Sequence, residues 1–81
     1  RLSTVFELYI YYSDINDQHL AILSKSDRLV SLGLYSCPYV TDNSVPSIVG
    51  MSALKKLALT DTGISDKCLL FLKNHPELIF L

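Results

Sequence analysis

The sequence predicts an α/β solenoid of stacked strand–turn–helix units, and three observations predict it. Val5-x-x-Leu8-x-Ile10, Leu29-x-x-Leu32-x-Leu34 and Leu54-x-x-Leu57-x-Leu59 begin 24 and then 25 residues apart, and Leu78-x-x-Leu81 opens another copy 24 residues later. Ile15-Asn16-Asp17, Val40-Thr41-Asp42 and Ile64-Ser65-Asp66 fill one slot of each unit. Apolar residues follow each Asp at the third and sixth positions: Leu20 and Leu23, Val45 and Ile48, Leu69 and Leu72. A fixed period in the twenties marks a repeat array in which each unit packs on its neighbours. The units run approximately 5–28, 29–53 and 54–77, with a partial one at 78–81, about three and a half in all.

Each unit opens with a strand. Leu8 and Ile10 alternate with Glu7, Tyr9 and Tyr11, and a period of two sends alternate side chains to opposite faces. Leu32 with Leu34, and Leu57 with Leu59, repeat the pattern. Such strands line up in parallel, and parallel neighbours need a crossover, here right-handed and carried by the turn and helix. The strand sheet forms the concave side and the short helices the convex side.

Each unit closes with a helix. Asn16, Thr41, Ser65 and the Asp after each are capping residue types whose side-chain oxygens accept from free backbone N–H groups. The Asp charge also suits the positive end of a helix. Pro46 falls in the first turn of the second helix, and Gly50 and His75-Pro76 mark helix ends. Leu8, Ile10, Leu32, Leu34, Leu57 and Leu59 are the expected spine of the core, with Ile15, Val40 and Ile64 on the turn side.

The combination L-x-x-L-x-L, polar turn, (Ile/Val)-(Asn/Thr/Ser)-Asp and L-x-x-L resembles the leucine-rich repeat, in its cysteine-containing subtype. The slot that carries Cys or a small residue in that subtype holds Ser13, Cys37 and Thr62. The units look like those of F-box/leucine-rich-repeat substrate receptors and of the mitochondrial group similar to ATP synthase coupling factor B. The first likeness implies an intracellular adaptor that selects a protein partner, without an F-box in this chain. The second implies an assembly or coupling factor in mitochondria. A structural spacer within a longer solenoid is the third reading.

Bulk properties narrow the function classes. The 81 residues suffice for one small domain, and 49% of them are hydrophobic, with a mean hydropathy of +0.31. Arg1-Leu2-Ser3-Thr4 and Leu78-Ile79-Phe80-Leu81 carry no polar cap, which predicts a segment of a longer solenoid or ends covered by a partner. Uncapped terminal units would also permit end-to-end self-association. Seven basic and eight acidic residues, with no basic run, argue against nucleic acid as the partner. No apolar stretch reaches membrane-spanning length, so membrane insertion is not expected. Cys37 and Cys68 are too few for a disulfide framework and suit a reducing intracellular compartment.

The candidate site is the outward face of the strands. Its first column holds Glu7, Ser31, Lys56 and Phe80, its second Tyr9, Gly33 and Ala58, its third Tyr11, Tyr35 and Thr60. Tyrosine combines an apolar body with a hydroxyl and is enriched at interfaces, though it also favours exposed strands. The expected partner-binding residues are Glu7, Tyr9, Tyr11, Tyr35, Lys56 and Thr60, with Tyr12 beside them and a shallow floor at Gly33 and Ala58. Tyr35-Ser36-Cys37-Pro38-Tyr39 would extend the patch to the rim. Asp17, Asp42 and Asp66 form a column that capping explains without a metal. Cys37 or Cys68 with His19 or His75 lacks an orienting acid and oxyanion glycines, so no catalytic residue, metal or cofactor is expected.

Overall fold

A computed structural model of the chain describes residues 4–80, which form a four-stranded parallel sheet with three helices. The order is β1 (Phe6–Tyr11), α1 (Asp17–Leu23), β2 (Leu29–Thr41), a 3-10 turn (Asp42–Ser44), α2 (Val45–Val49), β3 (Lys56–Gly63), α3 (Asp66–Lys73) and β4 (Ile79–Phe80). The strands lie side by side in chain order. Leu8 pairs with Leu32 and Leu32 with Leu57, while Ile10 pairs with Leu34 and Leu34 with Leu59. These leucines meet Leu20, Ile48 and Leu72 from the helices in one buried cluster.

The expected first column needs one correction. Ile79, not Phe80, is the register partner of Lys56, and Phe80 pairs with Leu57. Eight positions separate Leu72 from Phe80, whereas nine separate Ile48 from Leu57. The shorter connection advances the last strand by one residue, which exchanges the two faces of a strand. Phe80 therefore packs against the core and Ile79 is exposed. Leu81, the second leucine of the partial unit, and Arg1-Leu2-Ser3, expected to be an uncapped end, lie outside the described residues.

The caps are divided differently from expectation. The N-caps are Asn16, Thr41 and Ser65, whose side-chain oxygens accept from backbone N–H groups in the following turn. The Asp after each is the first helical residue. Asp17 reaches across to the next unit, where Oδ1 accepts from Thr41 N at 2.7 Å and Ser44 Oγ at 2.5 Å, and Oδ2 accepts from Thr41 Oγ1 at 2.5 Å. Asp42 does the same for the third unit, its Oδ1 accepting from Ser65 N at 2.7 Å. The cap residue's own N–H is thus satisfied by the preceding unit. In the first unit His19 Nδ1 accepts the N–H of Asn16 instead, at 3.1 Å.

The second helix is short for a local reason. Val45 N–H bonds Asp42 O, and Pro46 has no N–H to donate, so a 3-10 turn precedes the helix. Strand β2 also runs further than the leucine pattern predicts. Six positions separate Leu34 from Val40, against five from Ile10 to Ile15 and five from Leu59 to Ile64. The added residue appears as a break in register between Cys37 and Thr41. There β3 passes so close that a Cβ on Gly63 would lie 2.6 Å from Pro38 O, which leaves room only for glycine.

Candidate protein-binding surface

Parallel pairing brings all six expected partner-binding residues to one face of the sheet. Glu7 and Lys56 flank Ser31, and Tyr11 and Thr60 flank Tyr35. Tyr9 pairs with Gly33, which pairs with Ala58. The first side of the face is held by polar bonds: Tyr9 Oη donates to Glu7 Oε1 at 2.8 Å and lies 3.1 Å from Ser31 Oγ. Ser31 is buried, so Tyr9 supplies a hydrogen-bond partner that Ser31 would otherwise lack.

At the far end of the strands the rings of Tyr11 and Tyr35 stack, with centroids 4.7 Å apart and planes 11° from parallel. Offset aromatic stacking adds about 0.5–1.5 kcal/mol beyond burial. Tyr35 is half-buried, while Tyr11 and Tyr12 are 59% and 84% exposed. The stack therefore presents a rigid aromatic shelf to solvent.

The floor expected at Gly33 and Ala58 is not open. Both are buried, and a Cβ on Gly33 would lie 2.7 Å from Tyr9 Cδ1 and 2.8 Å from Tyr35 Cε2. The missing side chain lets two tyrosine rings fold flat over the sheet, and the surface is a filled aromatic plateau. Gly33→Ala should lift both rings. Alanine in a strand regains about 0.5–1 kcal/mol over glycine, whereas overpacking costs about 1–3 kcal/mol. The expected result is a net loss of about 1 kcal/mol by urea titration, together with a weakened near-ultraviolet tyrosine signal.

One backbone feature shapes the rim. Tyr12, Ser36 and Asp61 adopt left-handed conformations, with φ of 52°, 56° and 56°. Each follows a member of the Tyr11–Tyr35–Thr60 column, so the three chain segments take the same sharp step there, after which β2 and β3 pair again at Cys37 and Thr62. Tyr12 N–H closes it by donating to Tyr35 O at 2.9 Å. A left-handed residue with a side chain costs about 1–2 kcal/mol. The absence of glycine hid this step from sequence reasoning. Among these positions Tyr12 is bulky and solvent-facing, so the fold holds an aromatic at the rim against a backbone preference.

The remaining candidates separate clearly. Cys37 is buried, its thiol donating to Tyr35 O at 3.5 Å and Ile10 O at 3.8 Å, and it serves the turn. In the same slot Ser13 and Thr62 accept from the N–H groups of Ile15 and Ile64. Tyr39, the second aromatic of the Tyr35–Tyr39 segment, is exposed near the end of β2. His75 lies away from the tyrosines, lining a cleft of about 140 Å³ with Ile48, Val49, Met51 and Leu78. That is well below the roughly 300–1,000 Å³ of small-molecule sites.

The carboxylates of Asp17 and Asp42 are committed to the fold. Burial pushes the Asp17 carboxyl up, but hydrogen bonds from Ser44, from the Thr41 side chain and from the Thr41 backbone outweigh it and hold the group below its ordinary value. For Asp42 the backbone bond from Ser65 is the main cause of a shift in the same direction. Sequence reasoning did not single out Leu70 and Phe71, which α3 exposes on its outer side. The signal was their place between Leu69 and Leu72, the pair that turns inward.

No family model matches the chain, and no curated protein or solved structure is similar to it at a significant level. Among the described residues no helix is long and apolar enough to cross a membrane.

Proposed function

We propose that this chain is a leucine-rich-repeat solenoid segment that works as a non-catalytic protein-interaction module. It binds a protein partner through the strand face, with Glu7, Tyr9, Tyr11, Tyr35, Lys56 and Thr60 as contact residues. The observation that carries this reading is the Tyr11–Tyr35 stack, with Tyr11 and the following Tyr12 exposed, on a face that no helix covers among the described residues. Aromatic anchors are the residues whose truncation costs most at interfaces. The regular register of leucine columns and the Asp bonds between units support the solenoid. An adaptor selecting one protein partner follows from the likeness to F-box-type receptors. A factor B-like assembly role would use the same face.

The test is capture from cell extract by wild-type chain, by Tyr11→Ser/Tyr12→Ser and by Tyr9→Ala/Tyr11→Ala/Tyr35→Ala, each shown to be folded by circular dichroism. The double variant is the cleaner one, because Tyr9 and Tyr35 also cover Gly33. A specific partner should be lost with either variant, by about thirtyfold in affinity if one anchor contributes about 2 kcal/mol. Capture by none of the three would assign the segment to a spacer role, and equal capture by all three would move the interface off the strand face.

A further inference from the structure

The charges around the tyrosine shelf are sorted by rim. On the rim where strands end and helices begin stand Asp14, Asp17, Asp42, Asp61 and Asp66, against a single basic residue, Lys67. Among the described residues the opposite rim carries Lys25, Arg28, Lys55, Lys56 and Lys73 against Glu7, Asp27 and Glu77, with Arg28 beside Asp27 at 3.9 Å. Parallel strands with returning helices make this sorting spatial, since every strand end and helix start falls on one side. Three exposed tyrosines share the acidic rim: Tyr11 ends the first strand, Tyr12 follows it, and Tyr39 lies near the end of the second, while Phe6 and Phe71 are exposed elsewhere. Asp17 and Asp42 are occupied by hydrogen bonds between units. Asp14 and Asp61 are exposed, Asp14 two residues beyond Tyr12 and Asp61 one beyond the register partner of Tyr35.

Resting on the reading of the strand face as a binding surface, we infer that its occupant is a basic peptide segment of a partner protein. Its Arg or Lys side chains lie against Tyr11 and Tyr12 and reach the carboxylates of Asp14 and Asp61. The physical basis is charge complementarity combined with ring faces. Stacking occupies one face of Tyr11 and leaves the other to solvent. A cation within about 6 Å of such a ring is attracted by its quadrupole, most effectively as a planar guanidinium. A neighbouring carboxylate adds a charge-assisted hydrogen bond. An acidic segment would meet the same carboxylates with repulsion, and an apolar one would leave them without partners. The opposite rim, with its surplus of lysines, does not favour this ligand.

The experiment is an amide NMR titration of the full chain with an Arg/Gly/Ser peptide, with its Glu-for-Arg counterpart and with a proline-rich peptide. The Arg peptide should shift signals at 11–14, 35–36 and 60–61. The shifts should weaken with added salt, and the Glu peptide should produce none. Asp14→Asn/Asp61→Asn should raise the Kd for the Arg peptide at least fivefold without changing the free chain's spectrum beyond those sites. Equal response to all three peptides, no response to the Arg peptide, or unchanged affinity in the double variant would each overturn the inference. The reading of the strand face stands separately. If Tyr11→Ser/Tyr12→Ser abolishes partner capture while the Asp variant captures normally, the face binds and its ligand is not basic. If the proline-rich peptide alone binds, the tyrosines recognise a polyproline helix instead.

Discussion

Leu32→Ala should cost about 3 kcal/mol of folding free energy. Leu32 is 1% exposed and lies between Leu8 and Leu57 in the register, so the missing methyls leave a cavity with wall on every side. For a small domain that is a large share of a total of about 5–15 kcal/mol, and the melting temperature should fall by roughly 12–24 °C. Leu8→Ala is the control. Leu8 is half-buried on β1, which among the described residues pairs on one side only, and its truncation should cost about 1 kcal/mol. Urea titration of both variants checks the difference. Equal losses would mean that a further layer covers β1.

The second large effect belongs to Asp17. Removing its carboxylate by Asp17→Ala leaves Thr41 N–H and the fully buried Ser44 hydroxyl without their acceptor. Stranded buried donors cost about 1–3 kcal/mol, and a loss near 2 kcal/mol is expected for this half-exposed cluster. The same bonds make stability depend on pH. Burial opposes ionisation of Asp17, yet the bonds from Ser44 and Thr41 prevail, and the backbone bond from Ser65 acts on Asp42. Both folded-state values therefore lie below the ordinary 3.8. The stabilisation is fully present above that ordinary value and disappears as pH falls through the lower folded values. Urea midpoints should stay level from neutral pH to about pH 5 as far as these two groups contribute, then drop below about pH 4. Asp17→Asn should be less stable at neutral pH and should lose less on acidification.

Much of this was legible in the sequence because the leucine columns depend only on alternation and period. The pairings of Leu8 with Leu32 and Leu57, and of Tyr11 with Tyr35 and Thr60, follow from aligning the units. Three features did not follow, each for a physical reason. Phe80 joined the core because the segment before β4 is one residue shorter, and alternation turns one residue into a change of face. The Asp17 and Asp42 bonds to the next unit were hidden because capping, a local explanation, already accounted for an acidic residue at each helix start. The left-handed step at Tyr12, Ser36 and Asp61 carries no glycine to announce it. The candidate site was legible as a set of residues but not as a surface: stacking and the cover over Gly33 depend on side-chain rotation that spacing does not encode.

The most direct test of the central claim is hydrogen–deuterium exchange on the chain alone and bound to its captured partner. If the strand face is the binding surface, peptides spanning 7–12 and 31–36 should gain protection on binding, while those covering α1 and α3 should not change. Protection confined to α1 and α3, where Ile22, Leu70 and Phe71 are exposed, would contradict the account and move the interface to the helices.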